Sequence, residues 1–324
     1  MNIAPRQLRI FLALAESLNF SRTAQQFFIT QPSLSKAVKD LESELGVALF
    51  ERSTRSVRLT PAGDQLVPMA RRVIGEYDTG LRQMQGRAEH EAHRIAMAAL
   101  PSLANVILPG VCGALEQRFP HAQMSIVDCA DGAAVQRVIG YQVDFALASA
   151  SPSHAELQFE EILRDRFVLL APAAWHRRVR KQMRMEELTD LPLISMTDAS
   201  TAKKYMSAAF LQRGVMFQPK LQLDQIGTIA GFVKQGLGIA VLPYLGILPL
   251  LSLRGMRVAE IVDGPVRSVG IVRRKASPLS AIAAEAVEQV RVVSDALKRQ
   301  MPEWILPPGT APTAVRGVRP DRAT

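Results

Sequence analysis

The sequence predicts an α/β protein headed by a winged helix-turn-helix and a long linker helix. Three observations carry this. Residues 1–45 hold two apolar stripes at helical spacing around a short third segment. A longer stripe runs from Thr60 to about Gly86. From Arg94 onward, short apolar strands alternate with helical segments, a pattern of parallel sheets covered by helices on both faces.

The composition supports packed domains. The chain has 324 residues, 48% of them hydrophobic, enough for two or three cores and too apolar for a disordered chain. Two cysteines exclude a disulfide scaffold and a four-cysteine zinc site, which points to a reducing compartment. No window holds the roughly 18 uninterrupted apolar residues of a membrane span. The opening stretch is broken by Arg6, Arg9 and Glu16 and lacks a small-residue cleavage site, unlike a secretory leader. A cytoplasmic protein with no membrane partner is expected. The net charge of +9 favours partners bearing phosphate or carboxylate, but it is spread along the chain, so pattern must decide.

Leu8, Phe11, Leu12 and Ala15 fall on one helical face. Ser21 is placed to cap a short helix from Arg22 to Phe28. Thr30 then caps a helix with Pro32 in its first turn, where the missing N–H costs little. Leu34, Val38, Leu41 and Leu45 form its buried stripe, and Gly46 ends it. Its opposite face shows Ser33, Lys36, Lys39 and Asp40, with Ser35 beside it. This is the recognition helix of a helix-turn-helix, whose N-terminal side chains reach base edges in the major groove. Gln31 matches adenine, Ser33 and Ser35 suit several edges or phosphates, and Lys36 and Lys39 suit phosphates. Arg22, Thr23 and Pro32 complete the expected DNA face. Val57 and Leu59 alternate with Ser56 and Arg58, a strand signature. With the turn Arg52–Arg55 this makes a wing, whose Arg52 and Arg55 face the duplex.

Thr60-Pro61 starts the long helix. Leu66, Met69, Val73, Tyr77 and Leu81, with Ala70 and Met84 nearby, need a partner longer than a winged domain offers. A helix from a second subunit is the natural candidate, so a homodimer is expected.

The stretch LRIFLALAESLNFSRTAQQFFITQPSLSKAVKDLESELGVALFERSTRSVRLTPAG closely resembles the N-terminal domain of LysR-type transcriptional regulators. The resemblance rests on Ala24, Gln31-Pro32-Ser33-Leu34-Ser35, Leu41-Glu42, Leu45-Gly46, Leu49-Phe50-Glu51-Arg52 and Thr60-Pro61-Ala62-Gly63. Phe27-Phe28 stand where the family usually has one bulky apolar residue and a polar neighbour, a departure expected to leave DNA binding unaffected. VKQGLGIAVLP, Val233–Pro243, is the best family mark in the second half. The resemblance implies a DNA-binding regulator, a dimer of dimers, and an effector domain shaped like a periplasmic binding protein, two lobes around a ligand cleft. The domains are then expected at 1–60 (winged helix-turn-helix), 61–90 (linker helix), 91–301 (effector domain) and 302–324 (a disordered tail). Lobe one would take about 91–165 and 266–301, and lobe two about 166–265.

In detail, strands are expected at Arg94–Leu100, Met124–Val127, Val143–Ser149, Phe167–Ala171, Leu193–Met196, Ile239–Leu242 and Val266–Arg273. Helices are expected at Leu103–Phe119, Ala134–Gly140, Thr201–Arg213, Ile226–Gln235 and Pro278–Gln300, the last capped by Ser277. Open α/β sheets bind ligands beyond the carboxyl ends of their strands, where helix N-termini offer free N–H groups. That rule selects Ser102, Cys129, Ser149, Thr197, Ser200, Thr201, Gln225, Ile226, Gly227 and Thr228 as effector-binding residues. Lys203 and Lys204 follow at a helix start, so a small, anionic organic effector is expected.

Cys112 reads as a small buried apolar residue. His90, His93, His121, His154 and His176 have no metal-ligand spacing. No GxSxG, HExxH, phosphate-binding loop or dinucleotide fingerprint stands in a fitting context. The expectation is therefore no enzyme, metal or cofactor. An enzyme built on the two-lobed half and a nucleoid-type DNA binder with a vestigial sensor remain as alternatives.

Overall fold

The structure is a computed structural model that describes residues 3–52, 57–84, 94–149, 154–252 and 255–309. The chain divides into two compact units, Met1–Glu91 with Gln136–Val143, and Ala92–Val135 with Asp144–Thr324.

The first unit opens with α1 (Pro5–Ser17), α2 (Phe20–Gln26) and α3 (Gln31–Leu45), followed by the ribbon β1 (Phe50–Arg52) and β2 (Val57–Leu59) and by α4 (Pro61–Met84). The ribbon is antiparallel, with Glu51 opposite Arg58. Phe11, Leu14, Leu34, Leu41 and Leu49 are completely or almost completely buried, each stabilising the domain by roughly 1.5–3 kcal/mol. Thr30 caps α3, its hydroxyl accepting from Ser33 N–H, and Gly46 ends it at φ 71°. The cap of α2 is Asn19, which accepts from Arg22 N–H. It is not Ser21, because the helix begins at Phe20 and Ser21 already lies inside it.

The end of α2 is unusual. Phe28 has φ 55°, a left-handed conformation costing a residue with a side chain about 1–2 kcal/mol.

The stripe on α4 resolves into two faces. Ala70 and Ile74 are buried, and Leu66 and Val67 pack beside them against the winged core. Met69, Val73 and Tyr77 are the exposed face.

The second unit holds β3 (Arg94–Ala99), α5 (Pro101–Val106), α6 (Leu108–Arg118), β4 (Gln123–Asp128), the first half of α7 (Asp131–Ile139), β5 (Phe145–Ser149) and β6 (Leu157–Pro172). It continues with β7 (Gln182–Met183), β8 (Leu193–Met196), α8 (Thr201–Leu211), β9 (Leu221–Leu223), α9 (Ile226–Lys234), β10 (Ile239–Pro243) and α10 (Tyr244–Ile247). It closes with β11 (Met256–Ile261), β12 (Val266–Arg274), α11 (Ala281–Gln300) and β13 (Ile305–Leu306). Strand order is β4-β3-β5-β12-β6-β10-β8-β9. The sixteen residues of β6 join two lobes. Leu157 to Arg166 pair with β12, and Phe167 to Pro172 pair with β10 and β11.

Four further expectations need correction. The helix expected at Leu103–Phe119 is two helices meeting at Ile107, where Pro109 supplies no N–H to continue the ladder. The strand expected to start at Phe167 starts at Leu157, since its first half carries Gln158, Glu160, Glu161 and Arg164 and hides the apolar alternation. Ser280, not Ser277, caps α11. The tail expected from Pro302 is structured as far as Gly309. Ile305 is 1% exposed, β13 pairs with Arg164 and Asp165, and Trp304 stacks on Tyr244 with ring centroids 5.4 Å apart. Residues 310–324 lie outside the described residues.

Candidate functional site

The α3 N-terminus presents Gln31, Pro32, Ser33, Lys36 and Lys39 as exposed residues, with Ser35 half-buried. Gln31 Oε1 accepts from Ser21 Oγ at 3.1 Å, which leaves its amide nitrogen for a base edge. Arg22 is exposed. Thr23 does not belong to this face. It is completely buried, its hydroxyl 2.6 Å from Ser17 Oγ and donating to Asn19 O at 2.9 Å, so it ties α2 to the end of α1. Behind α3, Glu42 Oε1 accepts from Leu49 N–H at 2.9 Å and Phe50 N–H at 3.2 Å, fixing where the ribbon starts. Arg52 ends β1. Its side chain is not described, and Arg55 lies outside the described residues.

In the second unit a cavity of about 250 Å³ lies between the lobes. Ser102, Ser200, Thr201, Gln225, Ile226 and Gly227 line it as expected, with Leu100, Met196, Pro243 and Leu250 forming apolar wall. Cys129, Ser149, Thr197 and Thr228 do not line it. Cys129 is half-buried with its Sγ 3.9 Å from Val127 O. Thr197 donates its hydroxyl to Asp224 at 2.6 Å. Ser149 is 2% exposed and gives its N–H to Asp131 Oδ1 at 2.8 Å. The other oxygen of Asp131 accepts from Thr201 Oγ1 at 2.6 Å, so this one carboxylate ties lobe one to lobe two. Thr201, having spent its proton, offers the cavity an acceptor. Lys203 also departs from expectation. It is 9% exposed, ion-paired to Asp198 at 2.7 Å and donating to Gln222 Oε1 at 2.7 Å, away from the cavity.

The cation that does line the cavity is Arg267, which the sequence reading missed. It is 3% exposed and Asp165 is 0% exposed. Nε and Nη2 donate to Asp165 Oδ2 at 3.0 and 2.7 Å, and Nη2 also donates to Ser102 Oγ at 2.9 Å. Nη1 has no protein partner among the described residues. Ser102, accepting from the guanidinium, keeps its own proton for a ligand. Asp165 Oδ1 accepts from Leu245 N–H at 3.2 Å. Burial pushes the Asp165 carboxyl up, while Arg267 and the backbone N–H groups of Leu245 and Tyr244 pull it down. The available signal was a charged residue at each of two positions, Asp165 and Arg267, within strands that pair along one another.

Burial pushes the Cys112 thiol up, which keeps it protonated and unreactive. Among the described residues no cluster of three or more histidine, cysteine, aspartate or glutamate residues could hold a metal ion. Among them, too, no helix is long and apolar enough to cross a membrane.

One unit is a winged helix-turn-helix and the other is a two-lobed α/β domain with a cavity between its lobes, the parts of a DNA-binding regulator with a small-molecule site. Residues 5–64 match the family described as bacterial regulatory helix-turn-helix protein, lysR family, and residues 88–294 match the LysR substrate binding domain. The chain therefore belongs to the LysR family of transcriptional regulators, which are not enzymes. It is 29% identical over 276 residues to the uncharacterized HTH-type transcriptional regulator YbhD of Escherichia coli K12, covering 84% of this chain and 86% of that one. Among solved structures, a point variant of full-length OxyR from Pseudomonas aeruginosa aligns with TM-score 0.69 at 22% identity, covering 92% and 95% of the two chains. CbnR bound to its target DNA aligns with TM-score 0.63 at 20% identity, covering 90% and 99%. At these identities the two structures bear on the fold.

Proposed function

We propose that this regulator binds an inverted-repeat DNA site as a homodimer, itself paired into a dimer of dimers, and responds to a small organic anion held between the lobes. The observation that carries the effector reading is the buried guanidinium of Arg267 on the wall of a cavity that offers several donors beside the acceptors Asp224 and Thr201. Ser102 retains its proton, and Ile226 and Gly227 N–H, in the first turn of α9, have no protein partner among the described residues. Donors at a helix N-terminus favour negative charge. The wall of Leu100, Met196, Pro243 and Leu250 suits an apolar body behind the acidic group. A ligand touching both lobes would favour one hinge angle, to the extent that its affinity differs between the two states.

A thermal-shift panel on the full-length chain tests this, with small aliphatic and aromatic carboxylates set against their amides. A carboxylate at 100 times its dissociation constant stabilises by about 2.7 kcal/mol. Ser102→Ala and Thr201→Ala should reduce the effector response in a reporter assay and leave basal DNA affinity intact in a gel shift. Equal shifts from acids and amides would refute the anionic reading.

The assembly reading is supported by the exposed Met69, Val73 and Tyr77. Two-fold symmetry then calls for half-sites spaced by whole helical turns.

A further inference from the structure

We propose that Phe28 contacts DNA, reading the C5-methyl group of thymine from the tip of the helix-turn-helix. Two unfavourable features meet at this residue. Its side chain is 96% exposed, whereas Phe11 and Phe50 of the same unit are buried against each other. Its φ of 55° lies in the left-handed region that favours glycine or asparagine. The end of α2 imposes that conformation. Phe28 N–H donates to Gln25 O at 3.1 Å and Ile29 N–H to Ala24 O at 3.0 Å, the pair of bonds that closes a helix through a left-handed residue. Glycine would meet this demand without strain, and asparagine would also keep the surface polar. Phenylalanine does neither, and the fold makes no use of its ring, since Phe27 and Ile29 on either side supply the packing against the core.

Position says what the ring is for. Phe28 stands two residues before Thr30, the cap of α3. Its Cα is at most about 11 Å of chain from that of Gln31. The Ser21–Gln31 hydrogen bond joins the exposed start of α2 to the same surface. A phenyl ring makes no hydrogen bond to base edges or phosphates. What the major groove offers an apolar group is the thymine methyl. Docking would also remove the ring from water, a gain that exists only in the complex.

The proposal rests on α3 being the DNA-reading helix, and the test separates the two. The full-length protein first selects its preferred duplex from a random library. Affinity is then measured for that duplex and for versions with deoxyuridine replacing each thymine in turn, which removes only the methyl. Wild type should lose about fourfold at one thymine per half-site, the value of one buried methyl. Phe28→Gly and Phe28→Asn should bind the unmodified duplex about five- to twenty-fold more weakly. They should be indifferent to that deoxyuridine and should unfold at a higher temperature than wild type. The opposed directions exclude misfolding as the cause of weaker binding. Wild-type affinity in Phe28→Gly, an undiminished deoxyuridine effect in it, or a lowered melting temperature would each overturn the proposal. Lys36→Ala serves as the separate arm: if it too leaves affinity for every duplex unchanged, the assignment of α3 itself fails.

Discussion

Replacing Arg267 with methionine should expose how the effector cavity is held. The substitution removes three hydrogen bonds at once, two to Asp165 and one to Ser102. Asp165, 0% exposed, keeps only the backbone N–H groups of Leu245 and Tyr244. Breaking a buried ion pair by removing one partner costs about 3–5 kcal/mol, because the charge left behind has no counter-ion and no water. The size of the loss should depend on pH. Burial already pushes the Asp165 carboxyl up, and without the guanidinium it must rise further. A carboxyl raised on folding binds more protons in the folded state than in the unfolded one. Its contribution is therefore intact below the ordinary carboxylate range and is lost as pH rises, by at most about 1.4 kcal/mol per pH unit. Arg267→Met should thus show a smaller deficit at pH 5 than at pH 8. Urea unfolding followed by tryptophan fluorescence measures this selectively, since the protein's two tryptophans, Trp175 and Trp304, both belong to the second unit. Adding Asp165→Val to Arg267→Met should recover most of the loss, as apolar replacement of a whole buried pair usually does. A deficit below about 1 kcal/mol at pH 8, or one equal at pH 5 and 8, would refute the reasoning.

Three further predictions concern DNA, assembly and the lobes. Gln31→Ala should relax one base position by roughly 1–3 kcal/mol of discrimination, whereas Lys36→Ala should weaken all sequences alike and flatten the salt slope by about one unit. Footprints at several salt concentrations check both, and an unchanged preferred site in Gln31→Ala would count against its role. Val73→Glu places a charge on the exposed face of α4 and should weaken self-association at least tenfold by sedimentation equilibrium, an expectation that fails if the wild type is already monomeric at micromolar concentration. Asp131→Ala removes the carboxylate that Ser149 N–H and Thr201 Oγ1 share. Hydrogen exchange at Ser149 should accelerate by roughly ten-fold or more, since a lost hydrogen bond to a charged group is worth about 1.5–3 kcal/mol, and unchanged exchange would mean the tie carries no load.

The local rules were legible in the chain because they act over three or four residues. Thr30 and Pro32 start α3, Gly46 ends it, and Leu34, Val38 and Leu41 define its buried side without reference to anything distant. Alternating strands and helices likewise announced the α/β half, and the rule about strand ends found Ser102, Thr201 and Ile226 on the cavity wall. Tertiary structure decided matters that depend on residues far apart in sequence. Asp165 and Arg267 are 102 positions apart, and only the pairing of β6 with β12 makes them one buried pair. The first half of β6 was not legible as strand because its polar residues Gln158, Glu160, Glu161 and Arg164 break the apolar alternation. Thr23 and Lys203 looked like ligand-facing residues by type and position, yet burial and fixed partners withdraw both. The single stripe on α4 became two faces because the winged core claims Ala70 and Ile74, leaving Met69, Val73 and Tyr77 uncovered. Phe28 is the sharpest case. The sequence marked it as a harmless variation, and only its left-handed backbone and bare ring, a strain and an exposure that the fold itself does not relieve, turn it into a candidate contact with DNA.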